Sequence, residues 1–296
     1  MNNSSNNTNN INKSFAIGIG LNLIYMVIEV VYGLLISSMA LIADAGHNLS
    51  DILGLLLAWG AAYLAKTLPT KERTYGLRKS TILAALLNAI ILLIAVGAIT
   101  IEAIRRLITP ENAQGTIMMT VAGIGVLINA ATAILFIKGK ERDINIRGAF
   151  LHMAADAGVS LGVVIAGLLI NLTGWLRLDS IMSLIIVIVI IVGTWDLLKE
   201  SFMMSVDAVP KNINLKEVET HLKKIPGVKE IHDLHIWAMS TTETALTVHL
   251  VMPQSAPDDY FLKGICGDLQ NKFGIEHSTI QIEKDAQSAN CSVDNV

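Results

Sequence analysis

The segment MALIADAGHNLSDILGLLLAWGAAYLA, residues 39–65, combines a long apolar run with ionisable side chains in its first half. Its length exceeds the ~20 residues with which an α-helix crosses the ~30 Å hydrocarbon core of a bilayer. Asp44, His47 and Asp51 are spaced three and four residues apart, so at ~100° per residue they form one stripe on such a helix. The segment therefore predicts a transmembrane helix that carries potential metal ligands on one face.

The composition of the whole chain also favours a membrane protein. Of its 296 residues 52% are hydrophobic and 16% are charged, and the mean hydropathy of +0.55 lies outside the range of soluble globular domains. A net charge of −3 provides no basic field, so nucleic acid is not an expected partner. The two cysteines, Cys266 and Cys291, are too few for a disulfide framework and are expected to stay free or to bind metal in a reducing compartment.

Six apolar segments with the length of a spanning helix can be drawn along the chain. They cover approximately residues 15–36, 39–65, 81–104, 116–137, 149–171 and 179–198. The expected fold class is an α-helical polytopic membrane protein, with six transmembrane helices within residues 15–206. The Asn-rich run at residues 1–14 and the tail at residues 287–296 are too polar to form a core and are expected to be disordered.

Basic residues near the helix ends predict the orientation of the chain, because cytoplasmic loops carry the excess of Lys and Arg. Two loops, between segments two and three and between segments four and five, are rich in basic residues: Lys66, Lys71, Arg73, Arg78 and Lys79, and Lys138, Lys140, Arg142 and Arg147. The opposite connections carry only Arg105, Arg106 and Arg177. Both termini are therefore expected to face the cytoplasm. We expect the inner (cytoplasmic) membrane of a cell, with an organelle membrane as the alternative.

The chain becomes more polar after Pro210, and a cytosolic domain is predicted over residues 207–286. The stretch NLKEVETHLKKI, residues 214–225, places its apolar side chains on one helical face. VKEIHDLHIWAMS and TALTVHLVM are two strand-like runs joined by a short polar turn, a second helix is expected at about 258–273, and STIQIEK gives a third strand. The order αββαβ predicts a small two-layer α+β module.

Segment five repeats the polar pattern of the segment quoted first. FLHMAADAGVS gives His152 and Asp156 the same i,i+4 spacing as His47 and Asp51. Because a charged carboxylate at the centre of a spanning helix costs ~2.5–3.5 kcal/mol, both pairs are expected to face the interior of the bundle. Helix-to-helix hydrogen bonding is an alternative role, but it requires neither the repetition nor these residue types. Two imidazole nitrogens and two carboxylate oxygens are the donors of a tetrahedral Zn²⁺ site, which we predict between helices two and five.

Zinc and protons compete for such a site, because the metal requires neutral imidazole and ionised carboxylate. Export of zinc in exchange for protons, with alternating exposure of the site, is the resulting hypothesis. Cd²⁺, Co²⁺ and Ni²⁺ suit a similar geometry. Asp44 is expected to support a ligand from behind or to lie on the path of the ion, with a role as a ligand itself as the alternative. Glu29 is expected to face the same cavity or to pair with a neighbouring helix.

Four motifs together resemble the zinc branch of the cation diffusion facilitator family. They are DAGHNLSD, YGLRKSTILAALLNA, HMAADAGVSLGVV and HDLHIW, starting at residues 44, 75, 152 and 232. The resemblance implies a homodimeric metal/proton antiporter, not an enzyme, with six transmembrane helices and a cytosolic metallochaperone-like domain. It also implies that His47, Asp51, His152 and Asp156 form the transport site, so that Zn²⁺ is cargo and no cofactor is expected.

The resemblance further implies a cytosolic, regulatory metal site. The matching positions are His232, His249 and Glu283, and Cys291 lies near the position of a cysteine ligand in some relatives. One departure from the family pattern is Thr81, which stands where many relatives have Glu. Lys79 is then expected to pair with Asp207.

Two other classes of function compete with transport. A membrane-embedded metallohydrolase also uses His and Asp ligands, but the chain has no H-E-x-x-H pair and the predicted site offers four ligands with no open position for water. A passive cation channel is disfavoured because a tight tetrahedral site releases its ion too slowly for conduction.

Overall fold

The structure is a computed structural model that describes residues 20–137, 144–254 and 258–285. The predictions for the two terminal tails and for Cys291 lie outside these residues. Within them the chain forms two compact units, one of residues 20–56 and 88–196 and the other of residues 57–87 and 197–285. The division of the chain into a membrane domain to residue 206 and a cytosolic domain from residue 207 stays a prediction.

Six helices, five of them long, make up most of the described residues up to Ser205. They are α1 (Gly20–Leu35), α2 (Met39–Ala65), α3 (Ser80–Ile108), α4 (Gly115–Phe136), α5 (Ile144–Thr173) and α6 (Arg177–Ser205). Helices α2 to α6 are long and apolar enough to cross a bilayer, and the described part of α1 is a shorter apolar helix. The helical polytopic fold class predicted from the hydropathy is confirmed.

Glycines bring α4 and α5 into close backbone contact. A Cβ atom added at Gly167 would lie 2.8 Å from the carbonyl oxygen of Gly115 and 3.0 Å from the backbone nitrogen of Met119. Beside this contact the Asn171 amide donates a hydrogen bond to the Thr116 hydroxyl at 3.1 Å. Since lipid gives helices no hydrophobic reason to associate, such close packing through small residues holds the pair together.

The turn between α1 and α2 is fixed by two charged side chains from other helices. Asp179 of α6 accepts hydrogen bonds from the Ser38 hydroxyl at 2.6 Å and from the first backbone N–H groups of α2 at 2.7 and 3.1 Å. Arg106 of α3 donates to the carbonyl oxygen of Ser37, whose φ is +53°. Asp179 thus satisfies N–H groups that have no partner within the helix, and its negative charge suits the positive end of α2.

The C-terminal residues form a small α+β module. Its elements are α7 (Leu215–Lys223), β1 (Glu230–Ala238), β2 (Thr244–Val251), α8 (Asp259–Phe273) and β3 (His277–Glu283). The sheet has the order β1-β2-β3, with an antiparallel first pair and a parallel second pair. Helix α8 provides the connection that two parallel strands require. The predicted order αββαβ is confirmed.

The helices of this module begin and end at the residues that the sequence signals indicate. Asn214 and Asp258 accept backbone N–H groups at the starts of α7 and α8, and Gly274 ends α8 in the left-handed conformation with φ +67°. Buried side chains such as Leu222, Leu246 and Leu269 then close a core between helices and sheet.

Three polar contacts join the start of α3 to the residues around the sheet. The Lys79 ammonium lies 2.6 Å from Asp207, which confirms the predicted pair, and Arg78 lies 2.9 Å from Glu243. The Thr81 hydroxyl accepts a hydrogen bond from the backbone N–H of Thr241 at 3.0 Å. The backbone N–H of Thr241 requires an acceptor, and the Thr81 hydroxyl provides one that carries no charge.

Candidate metal centre

Helices α2 and α5 bring the four predicted side chains of the membrane segment together, a group we call the helical cluster. His47 Nε2 lies 3.4 Å from Asp156 and 3.9 Å from Asp51. His152 Nε2 lies 3.3 Å from Asp51 and 3.6 Å from Asp156. Each imidazole therefore faces both carboxylates, and each carboxylate faces both imidazoles.

These separations resemble the edges of a zinc coordination tetrahedron. Donor atoms held 2.0–2.2 Å from a tetrahedral zinc lie ~3.3–3.6 Å from one another. His47, His152 and Asp156 offer ligand atoms that are all within 4.8 Å of one another. Asp51 falls outside that trio, although it lies within 4 Å of both imidazoles. The arrangement fits a metal with His and carboxylate ligands.

The two carboxylates of the helical cluster differ in burial. The Asp156 side chain is 3% exposed, whereas the Asp51 side chain is 37% exposed. Residues four apart lie on one face of a helix. The His47–Asp51 pair of α2 therefore meets the His152–Asp156 pair of α5 as soon as these two helix faces are turned toward each other. Asp156 is thus buried within the bundle, whereas the Asp51 side chain is partly exposed although its Oδ2, which faces both imidazoles, is buried.

A second polar group, not anticipated as a unit from the sequence, is buried in the same bundle. Asp44 is 1% exposed and accepts a hydrogen bond from the Ser160 hydroxyl at 3.1 Å. Glu29 is fully buried and accepts a hydrogen bond from the Asn48 amide at 2.9 Å. Glu29 therefore pairs with a neighbouring helix. Asn48 directly follows His47 in the sequence, and this position next to a predicted ligand is the signal by which its role in holding Glu29 could have been found.

The strands of the C-terminal module assemble the other predicted ligand set, His232, His249 and Glu283, which we call the sheet cluster. Glu283 Oε2 lies 2.9 Å from His232 Nε2, and its Oε1 lies 2.8 Å from His249 Nδ1. The two imidazole rings are 5.0 Å apart and nearly perpendicular. These three side chains and the trio of the helical cluster are the metal-type groups found among the described residues.

Strand register explains the sheet cluster. His232 of β1 pairs directly with His249 of β2, and Glu283 at the end of β3 pairs with Val251, on the same face as His249. A bulge follows His232, and Asp233 within it has φ +53°. The bulge turns the Asp233 carboxylate to within 3.5 Å of His249, a neighbour that strand alternation does not predict.

Asp233 is also held in its ionised form. Its carboxylate lies 2.8 Å from His235 Nε2, and this hydrogen bond, together with the nearby imidazoles, lowers the pKa of Asp233. The sheet cluster thus has a second negative charge at its edge.

Spanning helices that enclose facing His and Asp side chains define a class of protein, the membrane transporters of metal ions. The family models agree with this class. Residues 15–204 match the cation efflux transmembrane domain, and residues 210–285 match the cytoplasmic domain of cation efflux proteins, a dimerisation domain that supports a homodimer. The chain belongs to the cation efflux family, known as the cation diffusion facilitators; it is a multi-pass membrane transporter and not an enzyme.

Similar proteins cover most of the chain. The metal cation efflux system protein CzcD of Cupriavidus metallidurans is 37% identical over 92% of this chain and 86% of its own length. The zinc transporter ZitB of Escherichia coli is 36% identical over 88% and 83%. The cadmium, cobalt and zinc/H(+)-K(+) antiporter of Bacillus subtilis is 34% identical over 89% and 86%.

A solved structure was also matched. The metal-bound C-terminal domain of the C. metallidurans CzcD transporter is 43% identical, covers 24% of this chain and 99% of that domain, and has a TM-score of 0.23.

Proposed function

We propose that the chain exports Zn²⁺ from the cytoplasm in exchange for protons, with the helical cluster as the transport site. The observation that carries the proposal is the set of four imidazole–carboxylate separations of 3.3–3.9 Å between α2 and α5. Zinc as the cargo is supported by the names of the relatives, one a zinc transporter and one a cadmium, cobalt and zinc antiporter. Cd²⁺, Co²⁺ and Ni²⁺ are expected as further cargoes, because they accept the same donors.

Charge balance supports exchange against protons. With zinc bound, two neutral imidazoles and two carboxylates offset the two charges of the ion. Without zinc, protonation of both imidazoles offsets the same carboxylates, each His lying within 4 Å of both. Exchange of one zinc for about two protons therefore leaves the site neutral in both states, which avoids the cost of an uncompensated charge inside the membrane.

Alternating exposure requires the site to open toward either side of the membrane in turn. The greater exposure of Asp51 than of Asp156 supports an entry to the cluster on the Asp51 side. Movement of α2 and α5 against the other helices would transfer that opening to the opposite side. The orientation proposed from the basic loops places both termini in the cytoplasm, in the inner membrane.

The sheet cluster is proposed as a regulatory site that binds cytosolic zinc. Its support is the approach of His232, His249 and Glu283, with ligand atoms all within 4.8 Å of one another. A hydrogen bond of 2.9 Å joins His232 to Glu283, and His249 Nδ1 lies 2.8 Å from Glu283 Oε1. Zinc would replace both contacts when it binds.

Zinc flux into proteoliposomes with an internal fluorescent zinc reporter tests the transport proposal. The native chain, Asp51→Ala and His152→Ala are compared with and without a pH gradient. Asp196→Ala is the matched control, because Asp196 is an exposed carboxylate on α6. We expect gradient-dependent flux in the native and control proteins and its loss in both site variants. Flux that survives both site substitutions, or ignores the gradient, refutes the proposal.

A further inference from the structure

Two carboxyl groups of the membrane helices are buried without a basic partner. Glu29 is 0% exposed and Asp44 is 1% exposed. Among the described residues, neither forms an ion pair with a Lys or Arg side chain, in contrast to Glu102, which lies 2.8 Å from Arg106. The two carboxyls lie close enough to interact electrostatically. Two ionised carboxylates so placed would repel each other in a medium that screens charge poorly.

The surroundings of Glu29 indicate a group that carries a proton. Its Oε2 accepts a hydrogen bond from the Asn48 amide, while its Oε1 has no hydrogen-bond partner of good geometry among the described residues. The hydroxyl of Tyr25, 0% exposed, approaches Glu29 and likewise lacks a well-oriented partner. Gly125 of α4 leaves room for this hydroxyl, since a Cβ atom there would collide with Tyr25. A proton on Glu29 removes one of the two buried negative charges.

The buried group is connected to the helical cluster on both helices that carry ligands. Asn48 and Asp44 flank His47 on α2, and Ser160, which donates to Asp44, follows Asp156 by one turn on α5. Of the titratable side chains around this pair, Tyr25 and Asp44 face Glu29, whereas His47 and Asp156 of the helical cluster face Asp44. A change of charge in the helical cluster therefore acts on Asp44 directly and on Glu29 through Asp44 and Asn48.

We infer that Glu29 is a further proton-carrying residue of the exchange: its carboxyl holds a proton in the zinc-free protein and releases it to water as Zn²⁺ occupies the helical cluster. At a pH at which the imidazoles are partly neutral, arrival of zinc adds positive charge to the cluster, and positive charge favours the ionised form of a nearby carboxyl. The Glu29 carboxylate then accepts hydrogen bonds from Asn48 and Tyr25. This inference rests on the proposed function.

The test counts the protons released per zinc bound, by a pH indicator in weakly buffered detergent solution. Native protein, Glu29→Gln and Glu29→Asp are compared, with Glu102→Gln as the control because its carboxylate is already held ionised by Arg106. We expect Glu29→Gln to bind zinc while releasing about one proton fewer per zinc than the native protein. Glu29→Asp, which still titrates, and the control are expected to release the native number.

Infrared difference spectroscopy on the native chain provides a readout that does not depend on a variant. The zinc-free protein should have the carbonyl stretch of a protonated carboxyl, and zinc should remove it. In Glu29→Asp the band should move to the position of a protonated aspartic acid.

The outcomes separate the two proposals. If the native protein releases protons and Glu29→Gln releases the same number, or if the native spectrum has no protonated-carboxyl band, the inference about Glu29 is wrong and zinc/proton exchange stands. If zinc releases no protons from the native protein, the exchange itself is refuted and the inference with it.

Discussion

The helical cluster and the sheet cluster use the same ligand types on two different scaffolds. In the helical cluster the imidazole–carboxylate separations are 3.3–3.9 Å, which are close to the edges of a metal tetrahedron. In the sheet cluster Glu283 Oε2 is hydrogen-bonded to His232 at 2.9 Å, and its Oε1 lies 2.8 Å from His249 Nδ1. In the helical cluster the side chains are spaced like the ligands of an ion, whereas in the sheet cluster the carboxylate approaches both imidazoles more closely.

The difference follows from how each scaffold fixes its side chains. Paired strands are joined by backbone hydrogen bonds, so the register alone sets His232 opposite His249. Two helices share no backbone hydrogen bonds, and their facing depends on side-chain packing and small residues. Two helices can therefore shift against each other at a lower energetic cost than two paired strands can. Such a shift suits a site that must open to two sides, whereas a fixed sheet suits a site that senses the ion.

The largest effect is expected from Asp156→Ala, which removes the buried carboxylate of the helical cluster. Zinc flux should fall by at least ~100-fold, because partners that merely orient a ligand already cost ~10–100-fold. The measurement is the initial rate in proteoliposomes at saturating zinc, with Asp196→Ala as the control. A rate close to native would contradict the proposed difference between the clusters, in which the helical cluster transports zinc and the sheet cluster senses it.

Gly167→Ala tests whether close helix packing holds the helical cluster in place. The new methyl group would press on Gly115 and Met119 of α4, and overpacking of this kind costs ~1–3 kcal/mol. Gly123→Ala on α4 is the matched control, because an added Cβ there meets no atom within 4 Å. The midpoint temperature of thermal unfolding in detergent should fall for Gly167→Ala only. Equal transitions in the two variants would contradict a tight α4–α5 contact.

Glu283→Ala tests the sheet cluster alone. In an Asp156→Ala background, zinc binding by the full chain should weaken by at least ~10-fold, since a ligand is lost. Flux at saturating zinc in the otherwise native chain should be nearly unchanged. Glu230→Ala, at an exposed position of β1, controls for the loss of a carboxylate from the same sheet. Loss of flux in Glu283→Ala would mean that the sheet site takes part in transport itself.

Lys79→Ala is expected to have the smallest effect. Its ion pair with Asp207 is short at 2.6 Å, yet both side chains are about half exposed. Such a pair contributes ~0.2–1 kcal/mol and weakens with salt. The free energy of unfolding at low and high salt should reveal this difference, with Lys66→Ala as the control because the Lys66 side chain makes no ion pair with any described residue. A loss that salt leaves unchanged would indicate a role other than charge pairing.

Much of the fold and most of the metal-type residues follow from the sequence. The hydropathy predicted the helices, the alternation of β1 and β2 predicted the hairpin, and Gly274 marked the end of α8. The i,i+4 pairs on α2 and α5 predicted which side chains face the bundle, because helical periodicity is local and leaves no choice of face. Glu29 and Thr81 were visible as unusual residues, but their partners were not.

Those partners depend on contacts between distant segments. Asn48 meets Glu29 from another helix, Ser160 meets Asp44 across 116 positions, and Thr241 meets Thr81 across 160. The bulge that turns Asp233 toward His249 is likewise a property of two paired strands, since one strand alone specifies only strict alternation. The sequence by itself determined which atoms are able to bind a metal. Only the tertiary structure decided how far apart they lie and which buried carboxyls lack a basic partner, because distances between segments depend on packing that no local pattern encodes.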